Sequence, residues 1–458
     1  MKRKKKTRFI FFIWRLLCIF AMKRKYYSLM NVKSIRVGGF ANLESFDVEL
    51  SDFNALIALN NYGKSNVISA IAFGVEFVGA SVAKKDNMMA HSPFIPLNVH
   101  IDDAPFHFEI EFETSNDKAQ HLVNYGFSFD WIKDKSSSGK QIRSEFLKIK
   151  EVHDSKFQLH ISREFNDANY LSSPTGRCNK KIKIKPDELV VNKLLNFDDL
   201  FYWRILEKIN TIDILSVNTL EHPDHLFRRI SNGVARVNYS LAVPKEEDVA
   251  FFIYSLKKLD QANYSLFVDA MKTLLPCVDE FSPEEIDFKK LRPKETKKLP
   301  LTFPDKIYDI SVKEKNINQS TSILHLSSGS QKLFYVTAMA IAAEINRVPL
   351  ILLEELENSI HPGLLQKLLQ ILNGILEHTK VMITSHSPYL LQYMDIEQVS
   401  IGMPNDRGLA IFRKIRKNKV KKISAMAAGE GMSVGDLIFD QMIDSAMGES
   451  ELLTKLCD

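Results

Sequence analysis

The feature that most constrains the fold is an apolar segment ending in two acids, Leu350–Glu355. Four consecutive apolar residues are typical of a strand that is buried on both faces of a parallel sheet. Two adjacent carboxylates at the end of such a strand are costly to bury unless a cation or an activated water uses them. The segment therefore predicts a metal–nucleotide site, although an ordinary strand followed by an acidic turn gives the same pattern.

A second motif, near the N-terminus, has the layout of a phosphate-binding P-loop. An apolar strand, Asn54–Ala58, leads through a short turn into Gly63, Lys64 and Ser65 at the start of an apolar helix. In this layout backbone N–H groups surround the phosphates, Lys64 reaches the β and γ oxygens, and Ser65 holds Mg²⁺. Ala58 replaces the first glycine of the motif, which requires a negative φ there; a chance Gly-Lys-Ser at a helix start is the alternative. The predicted ATP contacts are Asn60, Asn61, Gly63, Lys64, Ser65 and Asn66.

Two further segments have features that suit anion binding. Ser327 and Gly329 form a Ser-Gly turn at the start of an apolar helix, which offers a hydroxyl, backbone N–H groups and a positive dipole end. A helix cap followed by a turn explains the same residues. His386 ends the apolar strand 381–385, where an imidazole can reach a γ-phosphate, but an ordinary hydrogen-bonded histidine is the alternative.

The order of these motifs resembles that of ABC-type ATPase heads of the RecF, SMC and OLD group, and most closely the RecF/OLD-like ATPases of bacterial anti-phage systems. The opening segment 31–46 reads like the two strands that precede the P-loop in this group, and Glu357–Pro362 resembles its E-x-x-L-H-P element. By motif, the resemblance covers residues 30–115 and 320–395.

The resemblance implies a role for each matching residue. Lys64 and Ser65 would bind phosphate and Mg²⁺, and Glu355 would polarise the attacking water. Glu354 stands where the family usually has Asp. Its side chain is longer by one methylene, which lengthens its contact with the metal-bound water, so hydrolysis is expected to be slow. His386 would be the switch histidine. ATP and Mg²⁺ are thus the expected substrate and cofactor.

The resemblance also implies self-association. In such heads the P-loop and the signature turn, which corresponds to the Ser-Gly turn here, are too far apart to bind the same nucleotide. Two heads therefore face each other head-to-tail with ATP between them. Ser327 and Gly329 would meet the nucleotide held by the other subunit. The glutamine of the family's Q-loop has no clear counterpart, since neither Gln120 nor Gln141 is well supported.

The expected fold class is α/β: an ABC-type P-loop NTPase head with a mixed central sheet, a flanking antiparallel sheet and a helical insertion. Strict alternation in Phe106–Glu113 predicts one strand of the flanking sheet. Residues 116–195 are expected to mix short strands with polar turns, and helices are predicted near 197–210, 245–258 and 264–276. The tail is expected to add strands near 397–402 and 408–416 and a terminal helix after Ser433. The predicted segments are an extension at 1–29, the first half of the head at 30–195, a helical insertion or lid at 196–300, and the second half of the head with its tail at 301–458.

Charge is unevenly distributed along the chain. The formal net charge is +5, but residues 1–30 contain ten Lys/Arg and no acid, which leaves 51 basic and 56 acidic residues in 31–458. Any nucleic-acid surface must therefore be a local patch. Lys180–Lys185, Lys289–Lys298 and Arg413–Lys422 are the candidates, and a solvated face is the alternative for each.

The N-terminal 29 residues combine a basic start with a short apolar run, but the run has no small-residue cleavage site and is too short to span a bilayer. We expect an upstream start or a poorly ordered extension, with a membrane-surface or partner-binding segment as the alternative and no stable membrane insertion. Four widely spaced cysteines indicate reduced thiols in a cytoplasmic protein.

The length of the tail bears on the function. Only 72 residues follow His386, whereas the Toprim nuclease domain of OLD nucleases needs well over a hundred, so no nuclease is expected in this chain. The resulting hypothesis is an ATP-driven sensor or scaffold in anti-phage defence that controls a separate effector, a nuclease or toxin, in response to a phage protein or nucleic acid. The alternatives are a RecF-like DNA-repair ATPase and a nucleotide-gated scaffold with blunted turnover.

Overall fold

The computed structural model describes residues 30–90, 94–116, 119–133, 141–217, 229–231, 239–244, 248–287, 306–403, 406–447 and 451–457. The predicted extension at 1–29 and the basic segment Lys289–Lys298 lie outside these ranges. Within the described ranges, no helix is both long enough and apolar enough to cross a bilayer.

The strands, numbered along the chain, are β1 (Met30–Phe40), β2 (Leu43–Glu49), β3 (Phe53–Ile57), β4 (Phe106–Asn116), β5 (Ala119–Phe129), β6 (Ile142–Glu151), β7 (Gln158–Glu164), β8 (Asp167–Tyr170), β9 (Lys180–Lys181), β10 (Leu215–Val217), β11 (Arg229–Ser231), β12 (Val278–Asp287), β13 (Lys306–Glu314), β14 (Thr321–Ser322), β15 (Leu350–Glu354), β16 (Lys380–Ser385), β17 (Val399–Met403) and β18 (Ile411–Lys414).

The helices are α1 (Lys64–Gly79), α2 (Val82–Met89), α3 (Val190–Leu194), α4 (Trp203–Asn210), α5 (Val249–Leu259), α6 (Gln261–Leu274), α7 (Ser328–Asn346), α8 (Pro362–Ile375), α9 (Pro388–Tyr393), α10 (Val420–Glu430), α11 (Val434–Ala446) and α12 (Leu452–Leu456).

The central sheet has the strand order β10-β15-β16-β3-β17-β18, and all neighbours are parallel except the final pair. The apolar run of β15 is buried on both faces, as predicted. Leu350 and Leu352 pack into one hydrophobic core, whereas Ile351 and Leu353 pack into the other. Both faces are covered, which explains why the strand lacks the alternation of a half-exposed strand.

An antiparallel sheet with the order β2-β1-β4-β5-β6-β7-β8-β9 covers one side of the molecule. Its β4 includes the alternating segment that predicted a strand in a flanking sheet. Helix α1 packs between the two sheets, where Val67, Ile68 and Ile71 share a core with Phe108 of β4 and Leu352 of β15. The P-loop helix is thus held from both sides. The fold is α/β, with the mixed central sheet and flanking antiparallel sheet of an ABC-type P-loop NTPase head.

The other face of the central sheet carries α7 and α8, together with α5, α6 and a smaller antiparallel sheet of β11, β13, β12 and β14. Helices α4, α5 and α6 lie where the sequence predicts helices. Phe267 of α6 packs edge-to-face against Phe334 of α7, with ring centroids 4.8 Å apart. The helices of 249–274 therefore share a core with the second half of the head.

Two local expectations differ from the structure. Residues 116–195 were expected to form short strands with polar turns, but β5 and β6 are eleven and ten residues long, because each is paired along its length with neighbours in the antiparallel sheet. The tail contains the expected β17, β18 and α11, and also α10, which the sequence analysis did not predict. Its first turn is rich in lysine, so its sequence has a stronger charge pattern than helical periodicity.

Close approach of α1 to the antiparallel sheet yields a prediction about stability. A Cβ added at Gly74 would lie 2.2 Å from the ring of Phe108, so Gly74→Ala is expected to lower the free energy of unfolding by about 1–3 kcal/mol through overpacking. At Gly429 in α10 a Cβ would meet nothing within 4 Å, so Gly429→Ala should instead stabilise by roughly 0.5–1 kcal/mol. Urea unfolding of both variants tests the contrast, and equal changes would contradict it.

Candidate nucleotide site

The candidate site lies where parallel strands end at the same edge of the central sheet. In the strand register Ile57 of β3 pairs with Ser385 of β16, and Thr384 of β16 pairs with Glu354 of β15. Each of these strands ends at one part of the site. The P-loop follows β3, the acidic turn (Glu354–Ser359) begins at the last residue of β15, and His386 follows β16. The P-loop and His386 are more than 300 residues apart in sequence, yet both lie with the acidic turn at one edge of the sheet. This is the edge where ligands bind in open α/β sheets.

The P-loop has the left-handed backbone that such a loop requires at two positions. Asn61 has φ 66° and Gly63 has φ 87°. A Cβ at Gly63 would lie 2.5 Å from Cβ of Ala410 and 2.9 Å from Oδ1 of Asn42, so glycine is needed there for space as well as for conformation. Ala58 is fully buried and is not among the residues with positive φ, so the condition for replacing the usual glycine is met.

Side chains of the P-loop differ in exposure and in contacts. Asn60, Asn61 and Ser65 are exposed, whereas Lys64 is buried and its Nζ donates to the carbonyls of Ala58 at 2.8 Å and Leu59 at 3.0 Å. Asn66, another predicted ATP contact, is positioned by Asn42, because its Nδ2 donates to Oδ1 of Asn42 at 2.8 Å. Asn42, in the turn between β1 and β2, was missed by the sequence analysis.

The charge of Lys64 is balanced by the acidic turn. Burial lowers the pKa of Lys64, and the negative charges of Glu355, Glu357 and Glu354 act against that shift. The lysine and the three carboxylates therefore share one electrostatic environment. The carboxylates favour the charged form of the ammonium, which is the form that binds phosphate oxygens.

The last residue of β15, Glu354, fits the role of a metal-side acid. Burial raises the pKa of Glu354, while a hydrogen bond from Ser65 and the charge of Lys64 oppose the rise. Its Oε1 is buried and has no hydrogen-bond partner among the described residues. A buried carboxylate oxygen beside a hydroxyl is a ligand pair that Mg²⁺ accepts, so Ser65 and Glu354 fit the cation that the sequence predicts.

The next residue, Glu355, is held in an unusual conformation. Its φ is 46°, in the left-handed region that non-glycine residues adopt only when their surroundings impose it. The backbone N–H of Glu355 donates to the carbonyl of Thr384 at 3.0 Å, and its Oε2 accepts from Nδ2 of Asn358 at 2.7 Å. Its Oε1 lies 3.6 Å from Nδ1 of His386. These contacts fix both the main chain and the carboxylate.

The Ser-Gly turn at the start of α7 packs against the acidic turn of the same chain. Ser327 is the N-cap of α7, with Oγ accepting from the N–H of Ser330 at 3.2 Å. A Cβ at Gly329 would lie 2.2 Å from the carbonyl oxygen of Ser359, so only glycine allows this approach. The helix-cap alternative thus describes a real contact of Ser327. Ser327 and Ser328 are exposed at the start of α7, whereas Gly329 and Gln331 are buried.

A lysine that the sequence analysis missed joins the two turns. Lys332 of α7 is 1% exposed, and its Nζ donates to the carbonyls of Glu355 at 2.8 Å and Asn358 at 3.0 Å. The sequence does contain a signal for Lys332, since it lies in an apolar helix five residues after Ser327. A lysine buried in such a helix must find buried hydrogen-bond acceptors. Glu357 was also given no role, although it belongs to the quoted Glu357–Pro362 element.

The fold and the site together define an ATPase of the AAA/ABC type with a nucleotide-binding P-loop. The sequence profile of a family described as "AAA domain, putative AbiEii toxin, Type IV TA system" matches residues 53–392, which run from the start of β3 into α9 and include the P-loop, the acidic turn and His386. The match spans well over half of the chain, and the protein belongs to this family. The predicted resemblance is confirmed at this level.

Similarity to individual proteins is more distant. The chain is 19% identical over 375 residues to "Retron Vc95 probable ATPase" from Vibrio cholerae serotype O1 biovar El Tor, covering 76% of this chain and 68% of that protein. Among solved structures, it is similar to the SMC head bound to the C-winged helix domain of ScpA, with 13% identity, a TM-score of 0.46 and coverage of 86% and 99%. The SMC head domain from Thermotoga maritima gives 13% identity, a TM-score of 0.38 and coverage of 84% and 99%.

The contact of Lys332 with the acidic turn predicts a selective loss of turnover. Lys332→Met removes the donor that holds the main chain of Glu355, so ATP hydrolysis is expected to fall about tenfold or more, because small displacements of a reacting group are costly. Nucleotide affinity should stay near the wild-type value, since Lys64 and its loop are unchanged. Steady-state ATPase assays and binding of a fluorescent ATP analogue measure the two quantities.

A matched control is available in the same fold. Lys380, at the other end of β16, is 8% exposed and donates to the carbonyl of Leu50 at 2.6 Å. Lys380→Met makes the same chemical change away from the site, so it should affect stability but not turnover. Equal losses of turnover in the two variants would show that Lys332 has no specific influence on the acidic turn.

Proposed function

We propose that this protein is an ATP-dependent sensor or scaffold of bacterial anti-phage defence, which self-associates around ATP, hydrolyses it slowly and controls a separate effector such as a nuclease or toxin. A phage protein or nucleic acid would be the trigger. The observation that carries the proposal is the acidic turn. It faces Lys64 and His386, and Lys332 joins it to α7, whose N-cap is Ser327. In a pair of such heads, this turn would be linked both to the P-loop side and to the Ser327 side of the nucleotide sites.

ATP binding is assigned to the P-loop. Backbone N–H groups around Gly63 and the N-terminus of α1 would surround the phosphates, with Asn60, Asn61 and Asn66 bordering them. Lys64 would leave the carbonyls of its own loop for the β and γ oxygens of ATP. Its buried position favours this exchange, because the ammonium gains from a charged partner in a low-dielectric setting.

Hydrolysis is assigned to the acidic turn. Ser65 and Glu354 would hold Mg²⁺, which when bound neutralises developing charge on the phosphates. Glu355 would accept a proton from the attacking water, and His386 would contact the γ-phosphate. The longer side chain of Glu354, compared with the usual Asp, supports the expectation of slow turnover. Contacts within the chain hold both the main chain and the carboxylate of Glu355, which supports a preorganised base.

Self-association is assigned to the face that carries Ser327 and Gly329. The first turn of α7 offers N–H groups and a positive dipole end to a γ-phosphate held by a second copy. The contacts of Lys332 and Gly329 with the acidic turn support direct coupling between that trans contact and Glu355. Hydrolysis would remove the γ-phosphate contact and release the pair, as in other nucleotide-dependent switches.

A shared site predicts complementation between two inactive variants. Lys64→Ala removes the phosphate lysine and Ser327→Arg blocks the trans contact, so each variant alone should lose ATPase activity. A mixed dimer keeps one intact composite site, and equal random mixing should restore about a quarter of wild-type activity in a two-fold symmetric pair. Titration of one variant into the other measures the recovery. Mixing either variant with itself is the control, and no recovery would argue against a shared site.

The role in defence predicts a phenotype in cells. Phage plating should improve when the gene is deleted and also when Glu355→Gln replaces the wild type, because hydrolysis is proposed to gate the effector. Co-purification with the product of a neighbouring gene would identify the effector. Equal protection by wild type and Glu355→Gln would favour the nucleotide-gated scaffold, and neither a phenotype nor an associated product would contradict the defence role.

A DNA-repair ATPase of RecF type is the second candidate. The observation in its favour is the segment Arg413–Lys422, which contains seven basic residues and no acid, most of them exposed. The lysines of Lys180–Lys185 are exposed too, while Ile182 and Ile184 pack inward, which is also the pattern of an ordinary solvated edge. Duplex binding that requires ATP and weakens steeply with salt would favour this candidate.

A further inference from the structure

A third carboxylate of the acidic turn, Glu357, makes contacts that the proposed ATPase chemistry has not used. Its side chain is 9% exposed, and Oε1 accepts from Oγ of Ser385 at 2.6 Å and from the backbone N–H of His386 at 3.0 Å. The other oxygen, Oε2, is buried without a hydrogen-bond partner among the residues described. Glu357 therefore holds the end of β16 at the point where His386 leaves the sheet.

The same carboxylate lies beside the imidazole. Nδ1 of His386 is 3.7 Å from Oε1 of Glu357 and 3.6 Å from Oε1 of Glu355. This nitrogen is buried and has no hydrogen-bond partner in the described part of the chain. The ring is therefore flanked by two carboxylates, one of which also binds the main chain of the histidine.

A neutral side chain would serve a purely structural purpose better. Capping a hydroxyl and one N–H needs only an acceptor, which an amide oxygen supplies. A third negative charge next to Glu354 and Glu355 adds repulsion in a partly buried site, and such a charge is costly unless a cation or proton answers it. Glu357 attracts Lys64, and the side-chain nitrogen Nδ1 of His386 lies 3.7 Å from Oε1 of Glu357.

We propose that Glu357 is a positioning residue that sets the orientation and tautomer of His386 opposite Glu355, without touching the substrate. A carboxylate at Nδ1 favours the ring form that carries its hydrogen there, which leaves Nε2 for the γ-phosphate side. Through the N–H of His386 and the hydroxyl of Ser385 it also fixes the backbone from which the ring projects. The inference rests on the proposed ATP hydrolysis and adds a residue to it.

The test is a double-mutant cycle on single-turnover ATP hydrolysis. Glu357→Gln keeps the shape of the side chain and removes its charge, so the rate should fall about tenfold to a hundredfold, as for other groups that orient a reacting residue. The KM for ATP and the affinity for a fluorescent ATP analogue should change by less than about twofold, because the P-loop is untouched. In a His386→Ala background the same substitution should have no further effect.

The control for charge is Glu377→Gln, an exposed glutamate that follows α8 and should leave all values at the wild-type level. Ser385→Ala serves as a second variant, since it removes one donor to Glu357 and keeps the charge. It should give a smaller rate loss that also disappears in the His386→Ala background. This variant decides the question if Glu357→Gln lowers the unfolding temperature.

The outcomes separate the proposal from the function on which it rests. A wild-type rate in Glu357→Gln, or losses that multiply with that of His386→Ala, would overturn the role of Glu357. A parallel loss of nucleotide affinity would place Glu357 in binding and overturn it too. If instead Glu355→Gln hydrolyses ATP as fast as the wild type, the assignment of hydrolysis to the acidic turn fails, whatever Glu357 does.

Discussion

The structure depends on how three carboxylates are kept together at the end of one strand. The adjacent carboxylates of Glu354 and Glu355 repel each other, and burial makes such repulsion stronger than it would be in water. Lys64 supplies an opposing charge, while Lys332 and Thr384 hold the main chain of Glu355 in a left-handed conformation. The P-loop, β16 and α7 therefore each contribute to holding the acidic turn in place.

That requirement explains the arrangement of the layers. Helix α1 is packed between two sheets, which leaves the P-loop little freedom to move away from the acidic turn. On the other side, α7 approaches so closely that Gly329 must be glycine. A nucleotide bound at the P-loop and a partner bound at the start of α7 would thus act on the same few residues. The coupling proposed between ATP and self-association follows from this shared contact.

The sequence predicted the site at the level of its motifs. Residues near Gly63, Glu354 and His386 follow strands with strong apolar patterns, and such patterns survive without tertiary information. Glu357, Lys332 and Asn42 were not assigned roles, because their importance comes from partners 23 to 29 positions away along the chain. The long strands β5 and β6 were underestimated for a similar reason, since cross-strand pairing extends them beyond what local composition indicates.

The sequence by itself determined which groups the chain can offer to a nucleotide: a Gly-Lys-Ser turn, paired acids at the end of one apolar strand and a histidine after another. Only the tertiary structure decided how these groups are combined. Parallel pairing in register placed Ile57, Glu354 and Ser385 at one edge, and burial set the pKa directions of Lys64 and Glu354. Distances and desolvation are properties of the packed molecule, because they depend on neighbours that are remote along the chain.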